Sequence, residues 1–174
     1  RIGVNLVGPT LLAHGTEDQK ARWLPAILPA HQLFCQLFSE PDAGSDLASV
    51  ATKATRVDGG WILAGQKVWT SGAHFCDYGI IVTRSDPTVP KHKGLTFFFL
   101  DMKTPGIEVR PLMTMTGFAE FNEVFFTDVR VPVTSIVGNR GEGWMVANAT
   151  LTHERGMLGD PDAALGRLRA IAEI

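Results

Sequence analysis

The chain has 174 residues, 45% of them hydrophobic and 20% charged. That is enough for one globular core without a disulfide or metal staple. Lys and Arg total 16 against 18 Asp and Glu, a net charge of −2, which removes the main argument for nucleic-acid binding, an excess of basic residues to neutralise phosphates. No apolar run approaches the roughly 20 residues of a membrane-spanning helix.

The sequence opens at Arg1 rather than Met, directly in a helical pattern, and closes at Ile174 inside another. We therefore expect a piece of something longer, or a chain ordered only in part. The first stretch, up to about residue 31, is predicted helical. Gly8-Pro9 restarts it, and Leu11, Leu12, Trp23, Leu24, Ile27 and Leu28 supply apolar faces. Thr16-Glu17-Asp18-Gln19 is a helix start: a Thr cap, acidic residues in the first turn, and a Gln three positions on that completes a capping box. Pro25 and Pro29 are expected to end or bend that helix.

Residues 33–137 change character. A strand is expected to run into the turn at Pro41. Trp61–Trp69 follows the turn Asp58-Gly59-Gly60, and Tyr78–Arg84, Leu95–Met102, Ile107–Leu112 and Phe121–Pro132 come after at hairpin-like spacing. Ser85-Asp86-Pro87 and Thr104-Pro105-Gly106 punctuate them. Such β-branched and aromatic runs predict an antiparallel barrel or sandwich, and the missing βαβ alternation speaks against a Rossmann sheet. From Gly143 the chain returns to helix. Trp144, Ala147, Leu151 and Leu158 define one face, and Asp160-Pro161 predicts an N-cap opening a second helix. The fold class is thus α+β, a β-barrel held between partial helical segments.

Three constellations carry possible chemistry. In Phe38-Ser39-Glu40-Pro41-Asp42-Ala43-Gly44-Ser45-Asp46, a turn dense in Ser, Asp and Gly offers free N–H groups and hydroxyls. These suit phosphate or flavin oxygens, or simply cap a connection. In Gly65-Gln66-Lys67-Val68-Trp69-Thr70-Ser71-Gly72-Ala73, regular strand alternation places Trp69 and Ser71 on one face. There they either meet a planar ring or form a core Trp with a polar strand end. In His153-Glu154-Arg155, Glu154 falls on the apolar helix face, either as a desolvated base or as half of a buried ion pair. Cys35 and Cys76 have no metal-ligand spacing, and no metal is expected. They form either a disulfide or two buried thiols. The Gly138–Gly143 loop is glycine-rich but is neither GxGxxG nor a P-loop.

Taken together, the first two stretches resemble the paired signatures of acyl-CoA dehydrogenases. Phe121–Pro132 is similar to that family's closing barrel strand, and His14–Lys20 to the helix before the barrel. The resemblance covers essentially the whole chain. It implies the end of an N-terminal helical domain (1–32), a complete β-barrel middle domain (33–137) and the start of a C-terminal helical domain (138–174). It implies an FAD-dependent oxidoreductase of CH–CH donors that takes an acyl-CoA to its 2,3-enoyl-CoA. An electron-transfer flavoprotein would be the acceptor, and the whole protein a dimer or tetramer in the cytoplasm, or in the mitochondrial matrix of a eukaryote. This chain alone would be inactive.

By the same resemblance, Gln36, Phe38 and Ser39 line the flavin edge, and Gly44 and Ser45 lie near the cofactor's phosphates and the acyl-CoA entrance. Trp69 packs on the flavin and Ser71 bonds its N5. Arg155 contacts the CoA portion, and Glu154 stands where the isovaleryl and long-chain branch carries its base. Most members take the base from a later segment. Gly159-Asp160-Pro161 interrupts a helix that is unbroken in many members. Two alternatives stay open: an acyl-CoA oxidase, and a barrel kept as a non-catalytic binding module.

Overall fold

The computed structural model describes residues 2–156 and 161–172. A π-helical turn, Gly3–Val7, runs straight into α1 (Gly8–His14), with Pro9 in its first turn. Helix α2 (Glu17–Ile27) starts at the expected capping box. Gln19 N donates to Thr16 Oγ1 at 3.2 Å, and Thr16 N to Gln19 Oε1 at 3.0 Å. Pro25 lies inside α2 and does not end it. The strands follow as β1 (Phe34–Leu37), β2 (Lys53–Val57), β3 (Gly60–Ser71), β4 (Tyr78–Arg84), β5 (Leu95–Asp101), β6 (Ile107–Leu112), β7 (Phe121–Pro132) and β8 (Ile136–Val137). Helices α3 (Gly143–Gly156) and α4 (Pro161–Ala172) close the order. Leu158 and the predicted Asp160 cap lie outside the described residues.

The sheet runs β6-β7-β3-β2-β4-β5-β8. Its hairpins are antiparallel, as expected, but β1 pairs parallel with β4, Cys35 standing opposite Gly79. A single Lys53–Arg84 pair joins β2 to β4, also in parallel. The sheet is therefore mixed, and β1 and β2 share one edge of β4. β1 enters from the helical segment rather than from a hairpin, so no tight turn forces it antiparallel.

Strands β4 and β5 are covered on both sides, which explains the continuous apolar run of β5. Ile80, Val82, Leu95, Phe97 and Phe99 enter one core with Val7, Leu11, Trp23, Ile27, Val146 and Ala147 from the helices. Ile81, Phe98 and Leu100 enter a second core with Trp61, Leu63, Val124, Phe126, Val129 and Val131 from β3 and β7. In the first, Trp23 of α2 meets Tyr78 at 4.3 Å and Phe99 at 5.8 Å between ring centroids. Contacts of this kind contribute about 0.5–1.5 kcal/mol each beyond area burial.

Two polar contacts fix the helices on this frame. The amide of Gln19 donates to Thr134 O at 2.8 Å and Ile136 O at 2.7 Å, clamping α2 to the β7–β8 junction. The buried hydroxyls of Thr10 and Thr150 meet at 2.8 Å, joining α1 to α3. The first turn of α3 lies directly on β5, where a Cβ on Gly143 would come within 2.6 Å of Thr96 N. The buried face of α3 is Gly143, Val146, Ala147 and Thr150, with Trp144 and Leu151 partly buried beside it.

The second core is the one enclosed between strands. Replacing fully buried Phe98 by Ala is expected to cost about 3–5 kcal/mol, read as a lower urea midpoint. Met113→Ala, at a position 73% exposed, should move it by less than about 0.5 kcal/mol.

Candidate active site

Four of the predicted site residues, Gln36, Ser39, Trp69 and Glu154, are linked around the end of β1. Gln36 is partly buried, and its Nε2 donates to Glu154 Oε2 on α3 at 3.0 Å. Thr150 is held against Thr10 one turn earlier, so the Glu154 carboxylate is placed by helix packing and oriented by the Gln36 amide. Three residues beyond Gln36, Ser39 O accepts from Val68 N at 2.9 Å. That bond sets the Ser39 turn beside Trp69. Gln36, Ser39, Trp69 and Glu154 are thereby linked through hydrogen bonds and chain connectivity, with Ser71 two residues further along β3. Phe38 differs. Its side chain is buried in the first core, 5.8 Å from Phe97 between ring centroids, so it offers a site only its backbone. Gly44 and Ser45 are exposed beyond the Glu40–Ala43 bridge, and Arg155 is exposed on α3. None of these three is joined to the group by the bonds above.

Trp69 is not a core residue. It is 62% exposed, and its φ is +60°, in the left-handed region. The register between β3 and β7 slips by one residue between Lys67 and Thr70, a β-bulge. The bulge breaks the alternation, so the expected shared face of Trp69 and Ser71 does not follow from strand geometry. Phe121 meets the indole edge-on, with centroids 6.1 Å apart. A large aromatic held exposed in a strained backbone is a recurrent mark of ligand sites.

Ser71 lies on the wall of a cavity of about 770 Å³, with Gln32, Phe34, Gly72, Phe75 and Phe118 among its lining. Gln32 Oε1 is buried there with no hydrogen-bond partner among the described residues. Neither Ser39 nor Trp69 lines this cavity; the Ser71 hydroxyl and the unpartnered acceptor within it, with the exposed indole two residues away along β3, suit a planar heterocycle. No group of His, Cys, Asp and Glu among the described residues could hold a metal ion.

The turn is held by Glu40 and Lys67, two residues of the signature stretches to which the sequence alone assigns no role. Lys67 is fully buried. Its Nζ donates to Phe38 O at 3.0 Å, Val82 O at 2.7 Å and Glu40 Oε1 at 2.8 Å. The Glu40 carboxylate also accepts from Ala51 N at 2.6 Å through Oε2 and from Thr52 N at 2.9 Å through Oε1. Burial pulls the Lys67 ammonium down to about 8, against the opposing pull of Glu40. Burial pushes the Glu40 carboxyl up, but the Lys67 charge and the bonds from Lys67, Thr52 and Ala51 together leave it below its ordinary value. The signal was present in the sequence: Lys67 has the same strand parity as the core residues Trp61 and Leu63.

The comparisons with known proteins agree with this geometry. Residues 35–129 match the family model described as acyl-CoA dehydrogenase, middle domain. The acyl-CoA dehydrogenase FadE34 of Mycobacterium tuberculosis is 56% identical over 147 residues, covering 84% of this chain and 21% of that protein. The acyl-CoA dehydrogenase IpdE1 of the same organism is 48% identical over 155 residues, covering 89% and 40%. A solved structure named Tcur3481-Tcur3483 steroid ACAD aligns with a TM-score of 0.84 at 40% identity, covering 88% of this chain and 40% of that one. The chain belongs to the acyl-CoA dehydrogenase family, whose members are flavoproteins. It spans between 21% and 40% of the length of the two curated relatives.

Lys67→Met leaves Glu40 buried without its cation and is expected to destabilise the chain by about 3–5 kcal/mol. The pH dependence has a definite sign. Folded Lys67 loses its proton near pH 8 and the unfolded residue near 10.5, so between these the unfolded chain binds more protons. The Lys67 contribution to stability therefore rises with pH across that window. Denaturant titrations at pH 8 and pH 10.5 should show this increment in the unsubstituted chain and not in Lys67→Met.

Proposed function

We propose that the protein carrying this chain is an FAD-dependent acyl-CoA dehydrogenase that converts an acyl-CoA thioester to its 2,3-enoyl-CoA. The observation that carries the proposal is the Gln36–Glu154 hydrogen bond. It fixes a partly buried carboxylate at the end of the strand that leads into the Ser39 turn and Trp69. Within the protein we assign residues 1–32 to the end of a helical domain, 33–137 to the barrel and 138–174 to the start of a second helical domain.

Glu154 is the base in this scheme. It accepts the α-proton of the thioester, and the Gln36 amide holds the accepting carboxylate in one orientation. FAD, when bound, supplies the two-electron acceptor for the hydride that leaves the β-carbon, so that a Cα–Cβ double bond forms. The indole face of Trp69 is the stacking surface for its ring. The hydroxyls of Ser39 and Ser71 are hydrogen-bond partners for ring heteroatoms. Phe38, with its side chain in the core, contributes its backbone. The exposed turn at Gly44 and Ser45 would hold the phosphates and the entering thioester, and exposed Arg155 would take the anionic end of CoA. An electron-transfer flavoprotein is the acceptor we assign, assembly into a dimer or tetramer the quaternary state, and the cytoplasm the compartment. The steroid in the name of the solved relative makes a steroid-bearing acyl thioester the first substrate class to try.

The complete gene product is expected to purify yellow and to bleach without oxygen when an acyl-CoA is added. Fast peroxide formation without added acceptor would instead assign an oxidase, and protein that cannot be loaded with FAD a binding module. Glu154→Gln should lower the rate of flavin reduction by at least about 10³-fold while acyl-CoA still binds. Near-normal reduction would move the base elsewhere in the protein.

Trp69→Gly separates site from scaffold. Glycine adopts a φ of +60° without strain, and the 62% exposed indole contributes little burial. Stability is expected to hold or rise by about 1 kcal/mol, while FAD affinity falls at least about tenfold, measured by equilibrium dialysis.

A further inference from the structure

Beside the buried faces of β1 and β4 lie two thiols to which the proposed flavin chemistry gives no role. Cys35 on β1 is fully buried in the second core, and Cys76, at the end of the short turn after Gly72, is half-buried against the same cluster. Both are free thiols. The two segments are clamped together beside them. Leu33 O accepts from Asp77 N at 2.9 Å and Tyr78 N at 3.0 Å, and Leu33 N donates to Asp77 Oδ2 at 3.0 Å. Opposite Cys35 stands Gly79, where a Cβ would collide with Leu37 at 2.5 Å and touch Cys35 Sγ at 3.4 Å, so β1 and β4 pack closely beside the thiol.

Their surroundings differ in one decisive way. Cys76 lines the 770 Å³ cavity, and Cys35 does not. We propose that Cys35 and Cys76 are a redox-active dithiol, in which a peroxide entering the cavity oxidises Cys76 and Cys35 closes the disulfide. The order of reaction follows from access: Cys76 is open to the cavity, and Cys35 is fully buried away from it. The electrostatics run the same way, since the interaction between the two thiols lowers Cys76 from the ordinary cysteine value and, with burial, raises Cys35 well above it. An accessible thiol beside a shielded one is the arrangement of an attacking and a resolving cysteine.

The step balances. The Cys76 thiolate attacks one peroxide oxygen, an S–O bond forms, the O–O bond breaks and hydroxide leaves. Sulfur is oxidised and peroxide reduced. Cys35 then attacks the Cys76 sulfur, the S–S bond forms, and the S–O bond breaks to release water that carries the Cys35 proton. The product crosslinks β1 to the start of β4 at the residue next to Gln36, so oxidation would pin the strand that orients Glu154. The dithiol chemistry does not depend on the flavin assignment, and its test needs no cofactor.

The test is mass spectrometry of the full chain, fully reduced, exposed to hydrogen peroxide, then unfolded in the presence of an alkylating reagent. The expected result is a chain lighter by two hydrogens that takes up no alkyl group and yields a linked Cys35–Cys76 peptide. Cys35→Ala, which keeps the site apolar, should accumulate a sulfenic acid at Cys76 that dimedone traps. Cys76→Ser should leave Cys35 reduced and alkylatable over the same period. The proposal is overturned if both thiols of the unsubstituted chain remain alkylatable after peroxide. It is equally overturned if Cys76 proceeds to sulfinic acid with Cys35 still free, or if only disulfides between chains form.

Discussion

A lysine with no exposed surface holds the centre of this molecule. Lys67 rises from β3 into the space between the Ser39 turn and β4, and its three N–H donors are spent on Phe38 O, Val82 O and the Glu40 carboxylate. Those acceptors belong to two separate segments, the Ser39 turn and β4. Glu40 adds a further one by accepting from Ala51 and Thr52. A charge pair in such a place gains little net stability over an apolar pair of the same volume. What it supplies is direction. An ammonium with its donors satisfied at 2.7–3.0 Å admits one arrangement of the turn, where a greasy contact would admit several. The backbone of Phe38 and Ser39, which we assign to the flavin edge, inherits that definition.

The second determinant is the sharing of β4 and β5 between two cores. Alternate residues of these strands serve the helix-covered core and the strand-enclosed core. A shift of either strand by one register would therefore expose or misplace both sets at once. Helix α3 is docked on this doubly constrained pair through Gly143 on Thr96 and through Val146 and Ala147 in the first core. The position of Glu154, more than two turns further on, follows from a rigid contact rather than from a loop. Sites built on packed elements hold their geometry better than sites built on loops.

Much of this was legible in the sequence, and the exceptions have physical causes. Strands β4, β6 and β7 and the Thr16–Gln19 cap fall where pattern and turn chemistry put them, because each carries a bounded apolar run, an alternation or a local hydrogen-bond signature. Strand β2 was missed because Lys53–Val57 buries little besides Ala54. It is held by its pairing to β3 across the Asp58-Gly59 turn, and only that turn was visible. The two-residue β8 carries too few positions for a period. The parallel pairing of β1 was invisible for a different reason: partner choice across 44 residues, from Phe34 to Tyr78, leaves no local trace. At the site, residue types were readable from the signature stretches, but their geometry was not. Gln36 and Glu154 are separated by 118 positions, and no periodicity of either segment shows that they meet.

The bulge at Trp69 ties these threads together. A non-glycine residue in the left-handed region costs on the order of 1–3 kcal/mol and persists only where its neighbours over-determine it. Here both neighbours are fixed. Val68 N is bound to Ser39 O, and Thr70 O accepts from the buried amide of Asn122 at 2.9 Å. One residue before Val68 stands Lys67 with its three bonds. The strand cannot relax the strain by sliding, because both sides of the bulge are pinned to different partners. Relaxation would also restore regular alternation and change the face to which the indole points. The rigid ion pair and the strained, exposed aromatic thus belong to one device: the first supplies the stiffness that lets the second be held out from the fold.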